Sequence, residues 1–227
     1  LKAISLFSGG KDSVQAICLS LKRGMEINCL VSIVPEAEYS KLYHFQNPCL
    51  TSLQSKSMNI PLELYRSKEK NEVETLEKAI KDASELYGAE AVITGIIASK
   101  YQKEKIDRIC KKNNLDHIFP LWMKNPNNIL EGLISNKIKA IITRVSAAGL
   151  NDQHLGKVID REIIDTLKKL KAKYRINISG EGGEYETFVT DAPIFSNPIE
   201  IDNASVEFDS DGGRGKYIIE KADLGAD

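Results

Sequence analysis

The sequence contains no uninterrupted apolar run approaching the roughly 18 residues of a membrane-spanning helix, and its N-terminus lacks the basic, apolar and small-residue sections of a signal peptide. These absences predict a cytoplasmic protein with no membrane partner. Cysteine is scarce: Cys18, Cys29, Cys49 and Cys110 stand apart without a CxxC pair, and the three histidines complete no metal-ligand spacing. The thiols are therefore expected to be reduced and mostly buried, with no zinc, no iron–sulfur cluster and no sulfur transfer by paired cysteines. An excess of charge of one sign is missing as well. Lys and Arg number 31 against 32 Asp and Glu, a formal charge of -1, so nothing global drives binding to nucleic acid. Heptads, internal repeats and low-complexity tracts are absent too.

What remains is a chain of 227 residues, 42% hydrophobic and 28% charged, enough to bury the core of one large domain or two small ones. Residues 2–7, "KAISLF", read as a short buried strand, and Val14, Ile17, Cys18 and Leu21 then recur at helical spacing. "INCLVSIV" (27–34) is an apolar run of strand length, as in a parallel sheet covered on both faces. A polar connection containing "YHFQNP" leads to a short helix at 50–58 and a third strand, "PLELYR". Val73, Leu76, Ile80, Ala83 and Leu86 form one helical stripe ending at Gly88, "AEAVITG" (89–95) reads as the next strand, and "SKYQKEKIDRICKKNN" as a helix bounded by "IFPLW" at 118–122. This alternation predicts an α/β domain built on a Rossmann-like, doubly wound parallel sheet.

The Pro and Asn content of "KNPNN" marks a boundary, so the first domain is expected over 1–124 and a second over 125–227. The second reads as a smaller α+β domain: a helix, the strand "KAIITRV", a helix over about 157–174, then β-like stretches "TFVTDAP", "IEIDNASVEF" and "KYIIEKA", with "DSDGGRG" turning between the last two.

Between the first strand and the first helix stands "SGGKDS", Ser8 to Ser13. A phosphate loop needs glycines where side chains would keep backbone N–H groups from the ligand, and a helix N-terminus whose dipole faces the anion. Gly9, Gly10 and the helix meet these needs, with Lys11 and the hydroxyls of Ser8 and Ser13 as further donors. The stretch does not match G-x-x-x-x-G-K-[ST] and so is not a Walker loop. It resembles the pyrophosphate loop of the N-type ATP pyrophosphatases (the PP-loop superfamily), whose pattern SGGxDS sits in this position of an adenine-nucleotide α-hydrolase-like fold. That resemblance implies an ATP-binding domain at 1–124. Ser8, Gly9, Gly10 and Ser13 would grip the leaving pyrophosphate, Lys11 would neutralise developing charge, and Asp12 would bind Mg2+. Gly95, at the C-terminal end of a predicted strand, falls where nucleotides dock in such sheets, its missing side chain leaving room for adenosine.

A second stretch, "SGEGGEYETFVTDAP" (179–193), gathers Glu181, Glu184 and Glu186 around Gly182 and Gly183. Carboxylates so close repel unless a cation or donor-rich substrate sits among them. If "EYETF" is extended, Glu184, Glu186 and Phe188 share one face while Tyr185 and Thr187 share the other. Together with "SGGKDS", the string "GEGGEYETFVTDAP" resembles the diphthine–ammonia ligase (diphthamide synthase) family, and "TGIIASKYQKEKIDRIC" (94–110), "FPLW" (119–122) and "VSAAGLNDQHLGK" (145–157) are similar to stretches of the same family in the same order.

The resemblance implies a substrate-binding domain at 125–227 and a reaction in which diphthine on translation elongation factor two, ATP and ammonium yield diphthamide, AMP and pyrophosphate. Glu184 or Glu186 would hold ammonium and accept its proton. The trimethylammonium group of diphthine suits an aromatic face or carboxylates, which makes Tyr101, Trp122 and Tyr185 candidates. His44 and Asn47, Tyr101 and Gln102, and Glu181, Gly182, Gly183, Tyr185 and Thr187 complete the expected substrate contacts. His117 and His154 receive no role. Two other readings remain open: a different PP-loop enzyme, such as a tRNA thiolase or a small-molecule amide ligase, and an ATP-binding sensor without catalysis.

Overall fold

Eleven residues of helix, Lys11–Leu21 (α1), begin where strand Lys2–Leu6 (β1) and the glycine loop end. The same alternation continues through Glu26–Pro35 (β2), Pro48–Met58 (α2), Leu62–Ser67 (β3), Glu72–Tyr87 (α3), Ala91–Ile93 (β4), Lys100–Lys112 (α4) and Asp116–Ile118 (β5). The structure is a computed structural model and describes residues 1–35, 48–68 and 71–226. The chain divides into two compact units, Leu1–Trp122 and Met123–Asp227.

In the first unit the five strands form a parallel sheet in the order β3-β2-β1-β4-β5. Successive side chains of a strand point to opposite faces. Ile4 of β1 faces a cluster with Cys29, Val31 and Ile33 of β2, Leu76, Ala79, Ile80 and Ala83 of α3, and Ile106, Ile109 and Cys110 of α4. Its neighbours Ala3 and Ser5, both fully buried, turn to the other face, where α1 packs on β1, β2 and β4. Helices thus cover both faces, as the apolar run of β2 predicts. The strand order reverses between β1 and β4, and a crevice beyond the carboxyl ends of two such strands is where open α/β sheets take their ligands.

Several local expectations shift. The stripe on α3 is narrower than its spacing predicts: Val73 in the first turn is 39% exposed and Leu86 in the last turn 70% exposed. Gly88 does end it, in the left-handed conformation at φ 60°. The segment before "FPLW" forms β5, a fifth strand that the sequence pattern does not announce.

The second unit carries Pro126–Ser135 (α5), Lys139–Val145 (β6), Arg161–Tyr174 (α6), Tyr185–Asp191 (β7), Ile199–Asp209 (β8) and Arg214–Leu224 (β9), with an antiparallel sheet in the order β7-β6-β9-β8. Asn125 caps α5, accepting from Asn127 N at 2.9 Å, and Pro126 occupies a first-turn position where no N–H is needed. The helix expected from 157 begins only at Arg161. Val158 instead bridges Ile141 of β6, and the Asp160 carboxylate caps the helix by accepting from Ile163 N at 2.9 Å. No described helix is long and apolar enough to cross a membrane.

Candidate functional site

The glycine loop grows out of β1 under tight backbone control. Phe7 N donates to Val31 O at 2.8 Å, and Ser32 Oγ donates to Phe7 O at 2.6 Å, so the chain leaves the sheet tied to β2. Gly9 then takes φ 77°, a conformation that disfavours side chains, and a β-carbon there would collide with Gln54 Oε1. Gln54, buried on α2, also donates from Nε2 to Gly9 O at 2.9 Å. Gly10 is the N-cap of α1 and offers no side-chain cap, which leaves the first-turn amides without that competitor for an anion. Ser13 Oγ donates to Gly10 O at 2.9 Å, and Ser8 Oγ lies 3.3 Å from Ser13 Oγ and accepts from Gly10 N at 3.4 Å.

Lys11 is only 3% exposed, and its ammonium lies 2.6 Å from Asp12 Oδ2. Burial pushes the Asp12 carboxyl above its ordinary value, against the pull of Lys11. Its second oxygen, Oδ1, is shielded from solvent and has no hydrogen-bond partner among the described residues, although the side chain as a whole keeps 29% exposure. A buried carboxylate oxygen left without a donor suits a hard cation.

Gly95 lies beside this turn, just beyond β4. A β-carbon on it would sit 2.7 Å from Asp12 C and 2.8 Å from Asp12 O and Ser13 N. Backbone packing against α1 by itself demands a glycine here. Ser8, Gly9, Gly10, Lys11, Asp12, Ser13 and Gly95 therefore form one constellation at the reversal of strand order.

In the second unit the glutamate-rich loop is organised from within. Glu184 lies before β7, not on it, and folds back: Oε1 accepts from Asn177 N and Oε2 from Gly182 N, each at 2.8 Å. It does not share a strand face with Glu186, because its carboxylate closes the loop. Gly183, at φ 82°, donates to Gly180 O at 3.0 Å, and its own carbonyl accepts from Ser146 Oγ. Tyr185 is buried and donates its hydroxyl to Ile178 O at 2.6 Å, so it braces the loop instead of presenting a ring to a ligand. Glu186 sits opposite Arg144 across the β6–β7 pair, Oε1 and Nη1 being 3.2 Å apart. Thr187 pairs with Ile142. Glu181 and Gly182 lie at the loop's tip, Gly182 exposed.

Tyr101 and Gln102 stand in the first turn of α4. Gln102 N donates to the Ser99 cap at 3.4 Å, and the Tyr101 ring, 57% exposed, holds the Lys105 ammonium 4.2 Å from its centroid. Trp122 already faces a cation, with the Lys103 ammonium 5.7 Å from its ring. His44 and Asn47 lie outside the described residues. Gln54, Arg144, Ser146 and Asn177 emerge only in the structure, since each acts on a residue distant in sequence or through its backbone. Cys18, Cys29 and Cys110 are buried and form no disulfide, and no group of three or more His, Cys, Asp or Glu side chains among the described residues is placed to hold a metal ion.

Comparison with known proteins places these features in a lineage. Residues 1–117 match the family model of the diphthamide synthase N-terminal domain, and residues 125–224 that of the diphthamide synthase C-terminal domain. A Bos taurus protein named diphthine–ammonia ligase is 33% identical over 227 residues, covering 91% of this chain and 85% of that protein. The Homo sapiens protein of that name is 32% identical with the same coverage. The Schizosaccharomyces pombe protein of that name is 32% identical over 93% of this chain, a match that spans 38% of the longer yeast protein. A solved Methanocaldococcus jannaschii structure, described as a subunit of tRNA methyltransferase, matches at a TM-score of 0.43 and 16% identity over 85% of this chain and 98% of that one. With both domain models matched and relatives a third identical along nearly its whole length, the chain belongs to the diphthamide synthase family.

Proposed function

We propose that the protein is an ATP-dependent diphthine–ammonia ligase that amidates the diphthine carboxylate of elongation factor two, working with the translation machinery in the cytoplasm. The observation that carries this reading is the uncapped first turn of α1 over Gly9 and Gly10, with Lys11 and the partnerless Asp12 Oδ1 beside it. That donor set suits the pyrophosphate of ATP, and the name diphthine–ammonia ligase borne by the relatives supports a diphthine carboxylate as the acceptor.

A carboxylate is a poor electrophile until one oxygen becomes a leaving group. In the proposed reaction that oxygen attacks the α-phosphorus of ATP as pyrophosphate departs, and ammonia then attacks the acyl carbon, so that AMP leaves carrying the oxygen. The amides of the first turn of α1 and the hydroxyls of Ser8 and Ser13 hold the departing pyrophosphate, and Lys11 balances its charge. Asp12 would hold Mg2+, which when bound shares that neutralisation. The proton that ammonium must lose goes to Glu186, which Arg144 orients, while Glu184 keeps the loop in shape. Tyr101, already host to an ammonium group, is the aromatic face assigned to the trimethylammonium of diphthine. Gln102, Glu181, Gly182, Gly183 and Thr187 are assigned to the acceptor as well.

The test is mass spectrometry of diphthine-bearing elongation factor two after incubation with the protein, MgATP and 15N-ammonium, with AMP and ADP followed in parallel. Heavy nitrogen in the modified histidine and equimolar AMP are expected. AMP without labelled acceptor would remove diphthine as the substrate, and ADP in place of AMP would remove adenylation.

A further inference from the structure

The carboxyl ends of β4 and β5 carry a chain of polar groups that the proposed reaction leaves unused. Thr94, the residue before Gly95, is 2% exposed; its N–H donates to Ile118 O at 2.9 Å, and its Oγ1 lies 2.9 Å from His117 Nε2. The His117 side chain is 4% exposed, and its Nδ1 lies 2.6 Å from Asp107 Oδ1. The other oxygen of Asp107 takes the Lys103 ammonium at 2.5 Å. Phe119 closes the imidazole from one side at 4.7 Å between ring centroids. The exit of β4, the end of β5 and the exposed side of α4 are thereby joined.

The protons in this chain have one consistent order. Burial alone would raise the Asp107 carboxyl, yet the hydrogen bonds from Lys103 and His117 hold it below its ordinary value, so it is an acceptor only. Burial pushes the His117 imidazole below its ordinary value, outweighing Asp107, so the ring is neutral. Its single proton therefore sits on Nδ1, facing Asp107. Nε2 is left as an acceptor, and the Thr94 hydroxyl must donate to it.

Such a chain is a weak way to stabilise a fold, because desolvation offsets most of the gain from pairing buried charge. It does fix direction, since each hydrogen bond accepts one arrangement of its partners. The fixed point is consequential: Gly95 follows directly and packs on the backbone of Asp12 and Ser13, in the turn that holds the phosphate-binding amides.

We propose that Asp107, His117 and Thr94 are positioning residues for the nucleotide, locking the exit of β4 so that Gly95 braces the first turn of α1 in its phosphate-binding position. This inference rests on the reading of the loop as an ATP site.

The test uses the full chain and three variants, Thr94→Val, Thr94→Ser and Asp107→Ala, the last on a helix position 37% exposed. MgATP affinity is measured by calorimetry and His117 by 15N–1H NMR of its ring in the ligand-free protein. Losing one orienting hydrogen bond should weaken MgATP binding about 10-fold in Thr94→Val and Asp107→Ala. Thr94→Ser restores binding to within about twofold of the parent, which separates the hydroxyl from simple packing. The wild-type ring should show an Nδ1-protonated tautomer, lost in Asp107→Ala. Parental affinity in both Thr94→Val and Asp107→Ala, a Thr94→Ser variant as weak as Thr94→Val, or an Nε2-protonated ring would each overturn the relay. A wild-type protein that does not bind MgATP at all would instead remove the loop reading beneath it, and the NMR result would still report on the hydrogen-bond chain.

Discussion

Replacing Gly95 with alanine tests whether the proposed phosphate loop is braced by backbone contact. The added β-carbon would lie 2.7 Å from Asp12 C, whereas carbons at ease sit at about 3.5 Å or more, so something must move by about 0.8 Å. Overpacking of this kind costs roughly 1–3 kcal/mol. The obstructing atoms are backbone, so the yield cannot be taken up by a rotamer change and passes to the first turn of α1 or to the exit of β4. An amide moved by 0.8 Å from a partner at about 2.9 Å ends near 3.7 Å, beyond hydrogen-bond reach. A lost bond to a charged group is worth roughly 1.5–3 kcal/mol, or about 10- to 100-fold in affinity. Calorimetric titration with MgATP should therefore show that loss, alongside a lowered thermal midpoint. Gly88→Ala provides the contrast: its position has φ 60° with nothing within 4 Å, so it should lose about 1 kcal/mol of stability while binding MgATP normally. Parental affinity in Gly95→Ala, or an equal loss in Gly88→Ala, would refute the reasoning.

Glu184→Gln keeps one acceptor oxygen but turns an NH2 toward an amide donor, costing about 1–3 kcal/mol of loop order. Hydrogen exchange at Asn177 and Gly182 should accelerate and the KM for the protein acceptor should rise with MgATP affinity unchanged; unaltered exchange would contradict the clip. Burial pushes the thiols of Cys18 and Cys29 up to about 11 and that of Cys110 up to about 12, so peptide-resolved alkylation at pH 8 should leave all three unmodified in the folded protein, and rapid labelling of any would show an opening that the fold does not contain. His117 has a folded value below its ordinary 6.5, so the unfolded chain binds the extra proton first and stability falls as pH drops from about 7 toward 5. His154 adds in the same sense, and Asp107, held below its ordinary 3.8, adds a further loss in stronger acid. Denaturant unfolding at pH 7.5 and 5.5 should show this decline, smaller in His117→Gln; an equal decline would remove His117 as its source.

The parts legible in the sequence are those where one residue type meets a local demand. Gly9 and Gly10 interrupt an apolar strand just before a helical pattern, and only that combination lets backbone amides face an anion, so loop and helix follow together. The near-continuous apolar run of β2 marks a strand covered on both faces. Strand β5 leaves no signal in the sequence because Asp116–Ile118 is three residues long, too short for any period to register, and its pairing with β4 is a matter of backbone alone. The start of α6 reads too early in the sequence for the opposite reason. Val158 and Ile159 extend the apolar spacing of Ile163 and Ile164 backward, and only the bridge to Ile141 shows that they belong to the sheet.

The three glutamates show where a sequence stops specifying chemistry. Glu181, Glu184 and Glu186 are indistinguishable as residue types, and their crowding suggested one cation held in common. What separates them is the donors that the fold turns toward each: two backbone amides of its own loop for Glu184, and for Glu186 a guanidinium 42 residues away across a strand pair. A carboxylate whose two oxygens both accept backbone amides would break the loop by taking a proton, since the protonated oxygen would point a donor at a donor. One paired with a side chain can exchange that partner while the backbone stays in place. In the proposed reaction the proton of ammonium is therefore assigned to Glu186, and Arg144→Met should separate the two roles, slowing amide formation at saturating ammonium while leaving hydrogen exchange at Asn177 and Gly182 as in the parent. Accelerated exchange at those amides in Arg144→Met would mean that the ion pair holds the loop as well, and the division of labour between the two glutamates would fail.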